Sequence, residues 1–328
     1  PKRSVTAPSY HLSRWVFLRL LGVVYVVAFL SLSTQLLGLV GADGILPIGE
    51  YLDRAFDTFG RGAYWRFPTL VWISSHDLTL TAFCWLGALL AGILVIGVAP
   101  IPVLITLWVL YLSLTVAGQT FLGYQWDTLL LETGLLAVLY APRGLHPTLT
   151  TEPPTPVLAR WLIWWLLFRL MFLSGVTKIA SGDPSWADWS ALTFHYETQP
   201  LPLWSGWYLH QMPVWFHRLS AGGMFIVELL LPWAALTPPS WRRVRLVAAT
   251  GLLLLQGAIG STGNYGFFSL LTSALCLTLV DDRTWARILP HRLADSAQIV
   301  QRNGRPPSGW RARIGFLLCL VLFALGGL

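Results

Sequence analysis

"RLMFLSGVTKIASGDPSWADWSALTFHYETQPLP", residues 169–202, starts as a membrane helix and finishes as something else. Its first part is greasy yet carries Arg169 and Lys178; the rest is a loop of Trp, His, Pro and acidic residues. A helix needs about 20 apolar residues to cross the hydrocarbon core, and reading back to residue 157 supplies them. A charge at mid-helix costs roughly 2.5–3.5 kcal/mol on insertion scales, so each asks for a partner or a function.

The rest of the chain has the same character. Of its 328 residues 55% are hydrophobic and 11% charged, and the mean hydropathy is +0.61, outside the range of soluble globular proteins. The pattern predicts an all-α fold, a polytopic transmembrane helical bundle, with residues 1–328 as one transmembrane domain. Nine spans are expected, at 15–40, 77–98, 101–118, 121–141, 157–179, 220–237, 243–261, 264–280 and 311–328. The first is too long for a cleaved signal peptide and is expected to be anchor and signal together.

The net charge of +7 is explained by its placement, without nucleic acid as a partner. With the N-terminus in the cytoplasm, fifteen Lys and Arg residues fall inside: three before the first span, Arg143 and Arg160, Arg242, Arg243 and Arg245, and seven from Arg283 to Arg313. Five fall outside: Arg54, Arg61, Arg66, Lys178 and Arg218. That excess sets the orientation.

Two outer loops are too long to be turns. Residues 41–68 mix acidic and aromatic side chains, as expected of an interfacial amphipathic element. Residues 180–219 carry five Trp and four Pro, which rule out one continuous helix and predict an aromatic cap packed over the outer face. The cytoplasmic linker 281–310 is basic and reads as a solvated segment touching anionic headgroups.

The intramembrane charges Asp127, Glu132, Arg169 and Glu228 are expected to form a polar cluster, with Arg169 bridging Glu132 and Glu228 and Lys178 pairing with Asp127. Lys178 stands one turn after Ser174 and Gly175, small residues that permit close helix approach. Desolvated, it would instead be a general base, with His195 and Glu197 assisting. Trp186, Trp189, His195, Tyr196, Glu197, His210 and His217 are expected to fasten the outer loop. Their spacing matches no metal-ligand pattern, so no metal is predicted. Cys84, Cys276 and Cys319 lie in apolar helices without paired spacing and read as packed thiols. Gly-rich phosphate loops, GxSxG and HExxH are missing, so the common soluble enzyme classes have no signature here.

The stretches "GYQWDTLLLETGLLA" (123–137), "RLMFLSGVTKI" (169–179), "DWSALTFHYETQPLP" (188–202), "YLHQMPVWFHR" (208–218), "VELLLP" (227–232) and "GNYGFFSLLTSALCLTLVDD" (263–282), in that order, resemble the lipase maturation factor family. The resemblance implies a membrane protein that assists the folding, assembly or maturation of secreted or membrane clients, lipases in the animal members, in the endoplasmic reticulum. Those members continue into a soluble C-terminal domain, expected to be absent here, and have cysteines where this chain has Ser185 and Ala191. The Arg-rich, sequon-free sequence looks prokaryotic, which would place it in the plasma membrane. "SGVTKI" is also similar to the membrane domain of vitamin K-dependent gamma-carboxylase, and this implies an alternative, an intramembrane enzyme using Lys178 as base on a quinone or lipid. The leading expectation is a non-enzymatic maturation factor that needs no cofactor and whose partners are membrane lipids and a client protein.

Overall fold

The structure, a computed structural model, describes residues 8–150, 152–238 and 240–290, with 293 and 295. The expected span 311–328, most of the 281–310 linker and Cys319 lie outside the described residues. Those described are helical, with one isolated backbone bridge between Pro202 and Gly263. They fall into two compact units, one formed by Leu18–Glu152 and the other by the described residues on either side of it.

Helix α1 (His11–Ser33) opens the chain. In the first unit it is followed by α2 (Leu36–Val40), α3 (Ile48–Phe59), α4 (Ala63–Arg66), α5 (Asp77–Ile96), α6 (Pro100–Ala117) and α7 (Gln125–Tyr140). The expected span 15–40 is broken after Ser33, where Thr34 and Gln35 turn the chain before α2. Helix α3 is the amphipathic element foreseen in 41–68. It buries Ile48, Leu52 and Ala55, spaced to fall on one face, and leaves Glu50, Asp53, Arg54 and Asp57 outside. Helices α5, α6 and α7 pack in sequence through short connections. Arg19 reaches the α5–α6 turn, its guanidinium lying against Gly97, as a side chain snorkelling to a helix end should.

The second unit contains α8 (Val157–Ala180), α9 (Pro184–Ala187), α10 (Ala191–Thr198), α11 (Trp204–His210), α12 (Val214–Leu229), α13 (Arg242–Thr262), α14 (Phe268–Leu277) and α15 (Asp282–Trp285). Pro232 ends the α-helical part of α12, and the chain continues as a 3-10 helix, Leu231–Leu236. Helix α8 packs against α12, this 3-10 stretch and α14.

Six segments are long and apolar enough to span a membrane: His11–Ser33, Asp77–Ile96, Pro100–Ala117, Val157–Ala180, Val214–Leu236 and Arg242–Thr262. The chain is a multi-pass membrane protein. The two other expected spans among the described residues are short helices, α7 of 16 residues and α14 of 10. Cys84 and Cys276 are buried free thiols, as read from the sequence.

One long-range clasp closes the second unit. The Asp282 carboxylate accepts the backbone N–H groups of His11 (3.0 Å) and Leu12 (2.8 Å), and Asp282 N–H donates to Ser9 O at 3.0 Å. Trp285 Nε1 donates to Ser13 Oγ at 2.9 Å. A helix leaves its first N–H groups without intrahelical acceptors, and here a carboxylate about 270 residues away supplies them at the favourable end of the dipole.

Candidate functional site

The site is built where α8 ends and the aromatic loop 180–219 begins. Lys178, in the last turn of α8, has its Nζ 2.8 Å from Glu228 Oε2 and 2.9 Å from Oε1. It also donates to Ser174 Oγ at 2.9 Å and to Ser174 O at 3.3 Å. Gly175 makes the approach possible: a Cβ there would lie 2.7 Å from Leu229 Cδ2 and 3.2 Å from Glu228 Cβ. The small residues expected to let helices approach do so at this point.

The sequence reading paired Glu228 with Arg169 and Lys178 with Asp127. Glu228 instead binds Lys178, and Ser174 Oγ donates to its Oε1 at 3.2 Å. Arg169 lies nine residues, or about 13 Å, further down α8. Asp127 accepts from the Tyr111 hydroxyl at 2.6 Å. Glu132, on α7, and Arg169, on α8, are both half-buried.

The reason is an offset in α12. Its helix begins at Val214, not 220, and its first part packs against the loop: Trp186 meets Phe225 edge to face at 5.9 Å. The Trp189 ring covers Gly222, with Cζ3 3.0 Å from where a Cβ would stand. Glu228 thereby arrives level with the end of α8, and the 3-10 stretch runs on beside the rest, Trp233 packing on Phe168 and Phe172.

Loop residues 181–213 form three short helices. Their clasp is Gln199, which the sequence reading did not single out. Its Nε2 donates to Thr262 O at 2.9 Å and its Oε1 accepts from the Tyr265 hydroxyl at 3.1 Å. That hydroxyl has a single hydrogen, so His195 Nε2, 3.2 Å away, must be the donor of the pair. Asn264 N–H to Leu201 O (3.0 Å) and Leu203 N–H to Thr262 O (3.2 Å) complete the bridge. An amide directly before Pro200 was the signal available in the sequence.

The other expected fasteners sit as follows. Tyr196 is buried against His217, ring centroids 5.7 Å apart. His217 is buried on α12 with Nε2 2.9 Å from Met212 O. His210 lies 3.6 Å from the exposed carboxylate of Glu197. The histidines thus face separate partners, and among the described residues no group of three or more His, Cys, Asp or Glu is arranged for a metal ion.

Chemically, an ammonium has three hydrogens and no acceptor. The Lys178 ammonium distributes its hydrogens over one carboxylate, one hydroxyl and one carbonyl, with the Trp186 ring 5.7 Å away. With Nζ engaged by these partners, the geometry gives no support to the general-base reading. Burial, followed by the charge of Lys178, holds His195 below its ordinary value of 6.5. The undocked loop therefore takes up a proton first. Docking is complete above pH 6.5 and weakens as pH falls through the depressed folded value. Hydrogen-exchange protection of residues 191–199, corrected for the intrinsic exchange rate, is expected to fall as pH drops below 6.5, and His195→Gln should flatten that dependence.

What the clasp positions is α11. Gly206 presses on α13, where a Cβ would stand 2.7 Å from Thr262 O. The opposite face carries Trp204, Trp207 and Tyr208, at i, i+3 and i+4, which are 78%, 62% and 61% exposed. Trp215, in the first turn of α12, is exposed as well.

Comparison with known proteins gives this geometry a context. The family model "Lipase maturation factor transmembrane domain" matches residues 12–287. Lipase maturation factor 2 of Xenopus laevis is 41% identical over 295 residues, covering 86% of this chain and 41% of the relative. The human protein of that name is 42% identical over 292 residues, 83% of this chain and 40% of the relative. Lipase maturation factor 1 of Bos taurus is 35% identical over 316 residues, 92% and 56%. The chain thus spans about two fifths of the length of the first two. No solved structure matches it.

Proposed function

Since this chain belongs to the lipase maturation factor family, we propose that it is a membrane-embedded maturation factor whose outer loop holds a partly folded client, a secreted lipase, while that client completes its structure. The observation that carries this reading is the aromatic ledge on α11, exposed on one face and fixed to the scaffold on the other. Rigid aromatic side chains supply large contact area with little rotamer freedom to lose, and an exposed apolar patch of this kind marks an interaction surface. No chemistry is required of the loop; binding and release suffice.

The basic excess supports the loop side as the side toward which clients are exported. On this reading it works in the plasma membrane of a prokaryotic source or the endoplasmic reticulum membrane of a eukaryotic one. Membrane lipids surround the spans.

The test is co-expression with a secreted lipase of the same source, reading photo-cross-linking from α11 and lipase activity exported. Replacing Trp204, Trp207 and Tyr208 together with Ala is expected to lower cross-linking at least about ten-fold, since central aromatic anchors contribute ~2 kcal/mol or more each. Unchanged cross-linking and export in a triple variant that unfolds at the parent temperature would refute the proposal.

A further inference from the structure

On the surface of the second unit, the 3-10 stretch Leu231–Leu236 and the N-terminal part of α13 enclose an apolar groove of about 450 Å³. A 3-10 helix is slimmer than an α-helix, so the substitution of one for the other opens space. The two segments touch where Leu231 lies on Gly251, at which no Cβ holds them apart. Arg243 lies about 12 Å back along α13 from that contact. Val244, Val247 and Trp233 line the walls and Arg243 the basic end.

The three arginines of "SWRRVR" (240–245) differ in what they do. Arg242 is paired with Asp281. Arg245 is buried, donating to Tyr10 Oη at 2.8 Å and to Thr237 O, with its guanidinium 3.9 Å from the Trp164 ring centroid. Arg243 is exposed at the groove.

An apolar groove of this kind does not hold water well, and α13 and the 3-10 stretch both belong to segments long enough to span a membrane. Its occupant there is hydrocarbon. A cation at one end of a hydrocarbon slot complements a lipid whose acyl chain is joined through glycerol to a phosphate, and exposed Trp241, just before α13, suits the interfacial level. We propose that this groove binds one anionic phospholipid, an acyl chain lying along Leu231 and Val247 and its phosphate on Arg243. The site is separate from the α11 ledge, so its occupancy is measured independently of client binding.

Native mass spectrometry of the full chain in mild detergent tests it, with phosphatidylglycerol and phosphatidylcholine titrated in parallel. The parent is expected to retain one phosphatidylglycerol in preference to phosphatidylcholine. Arg243→Gln should weaken phosphatidylglycerol about five-fold and phosphatidylcholine, whose phosphate is offset by its choline, by less, while Val247→Trp, which fills the slot, should weaken both. Val244→Trp replaces Val247→Trp if the latter lowers the unfolding temperature. Arg61→Gln, in the other unit, should change neither lipid. The inference is overturned if Arg243→Gln retains phosphatidylglycerol like the parent, if a folded groove-filling Trp leaves both lipids bound, if Arg61→Gln matches Arg243→Gln, or if excess inorganic phosphate strips the lipid.

Discussion

Replacing Lys178 with Ala is expected to destabilise the protein by about 3–5 kcal/mol, because it strands a buried carboxylate. Glu228→Ala should cost less. The two partners are unequally buried, Glu228 at 4% exposure and Lys178 at 22%, and a long cationic side chain relieved of its partner can snorkel toward water while Glu228 has no such route. A joint Lys178→Met, Glu228→Met replacement should recover most of the loss, since apolar substitutes for a buried pair are often neutral or stabilising. A double-mutant cycle on the full chain, by thermal or denaturant unfolding in one detergent, gives all three values. Single losses below about 1 kcal/mol, the range of exposed ion pairs, would show that the pair does not hold α8 to α12.

The second large effect is expected from Gly206→Val. Its branched side chain would enter the space of Thr262 O, a backbone atom that cannot rotate aside. Overpacking of this kind costs about 1–3 kcal/mol, and the clasp at Gln199 and Tyr265 is the contact that would yield. The expected result is faster hydrogen exchange through 199–213 and client cross-linking as low as in the ledge triple variant, although Trp204, Trp207 and Tyr208 remain. Gly260→Ala on α13 is the control, since its Cβ would meet only Ser269 at 3.8 Å. If Gly206→Val keeps parental exchange and capture, the ledge does not depend on being seated against α13.

Much of this architecture was legible from composition and periodicity. Four spans were read with ends near those of the structure, because an 18- to 24-residue apolar helix declares itself, and an amphipathic element within 41–68 was visible from its mixture of acidic and aromatic side chains. The fifth span's small residues also pointed to a close helix contact. Partner choice was not legible. Matching charges by assumed depth requires knowing where each helix starts, and taking α12 from 220 put Glu228 near mid-span. In the structure the turns of α12 before Glu228 stand beside the loop helices, against Trp186 and Trp189, and this brings Glu228 level with Lys178. The Gln199–Tyr265 clasp joins residues 66 apart through neutral groups, and neutral hydrogen-bonding pairs leave no charge or period to find.

The seal around Asp282 has a temporal meaning. Protein chains are synthesised from the N-terminus, so the opening turn of α1 is delivered to the bilayer long before its capping carboxylate exists. Until the ribosome has passed residue 282, His11 and Leu12 must satisfy their N–H groups with solvent or headgroups. Closure of this unit therefore waits for residue 282, whose carboxylate acts as a lock on the opening turn of α1.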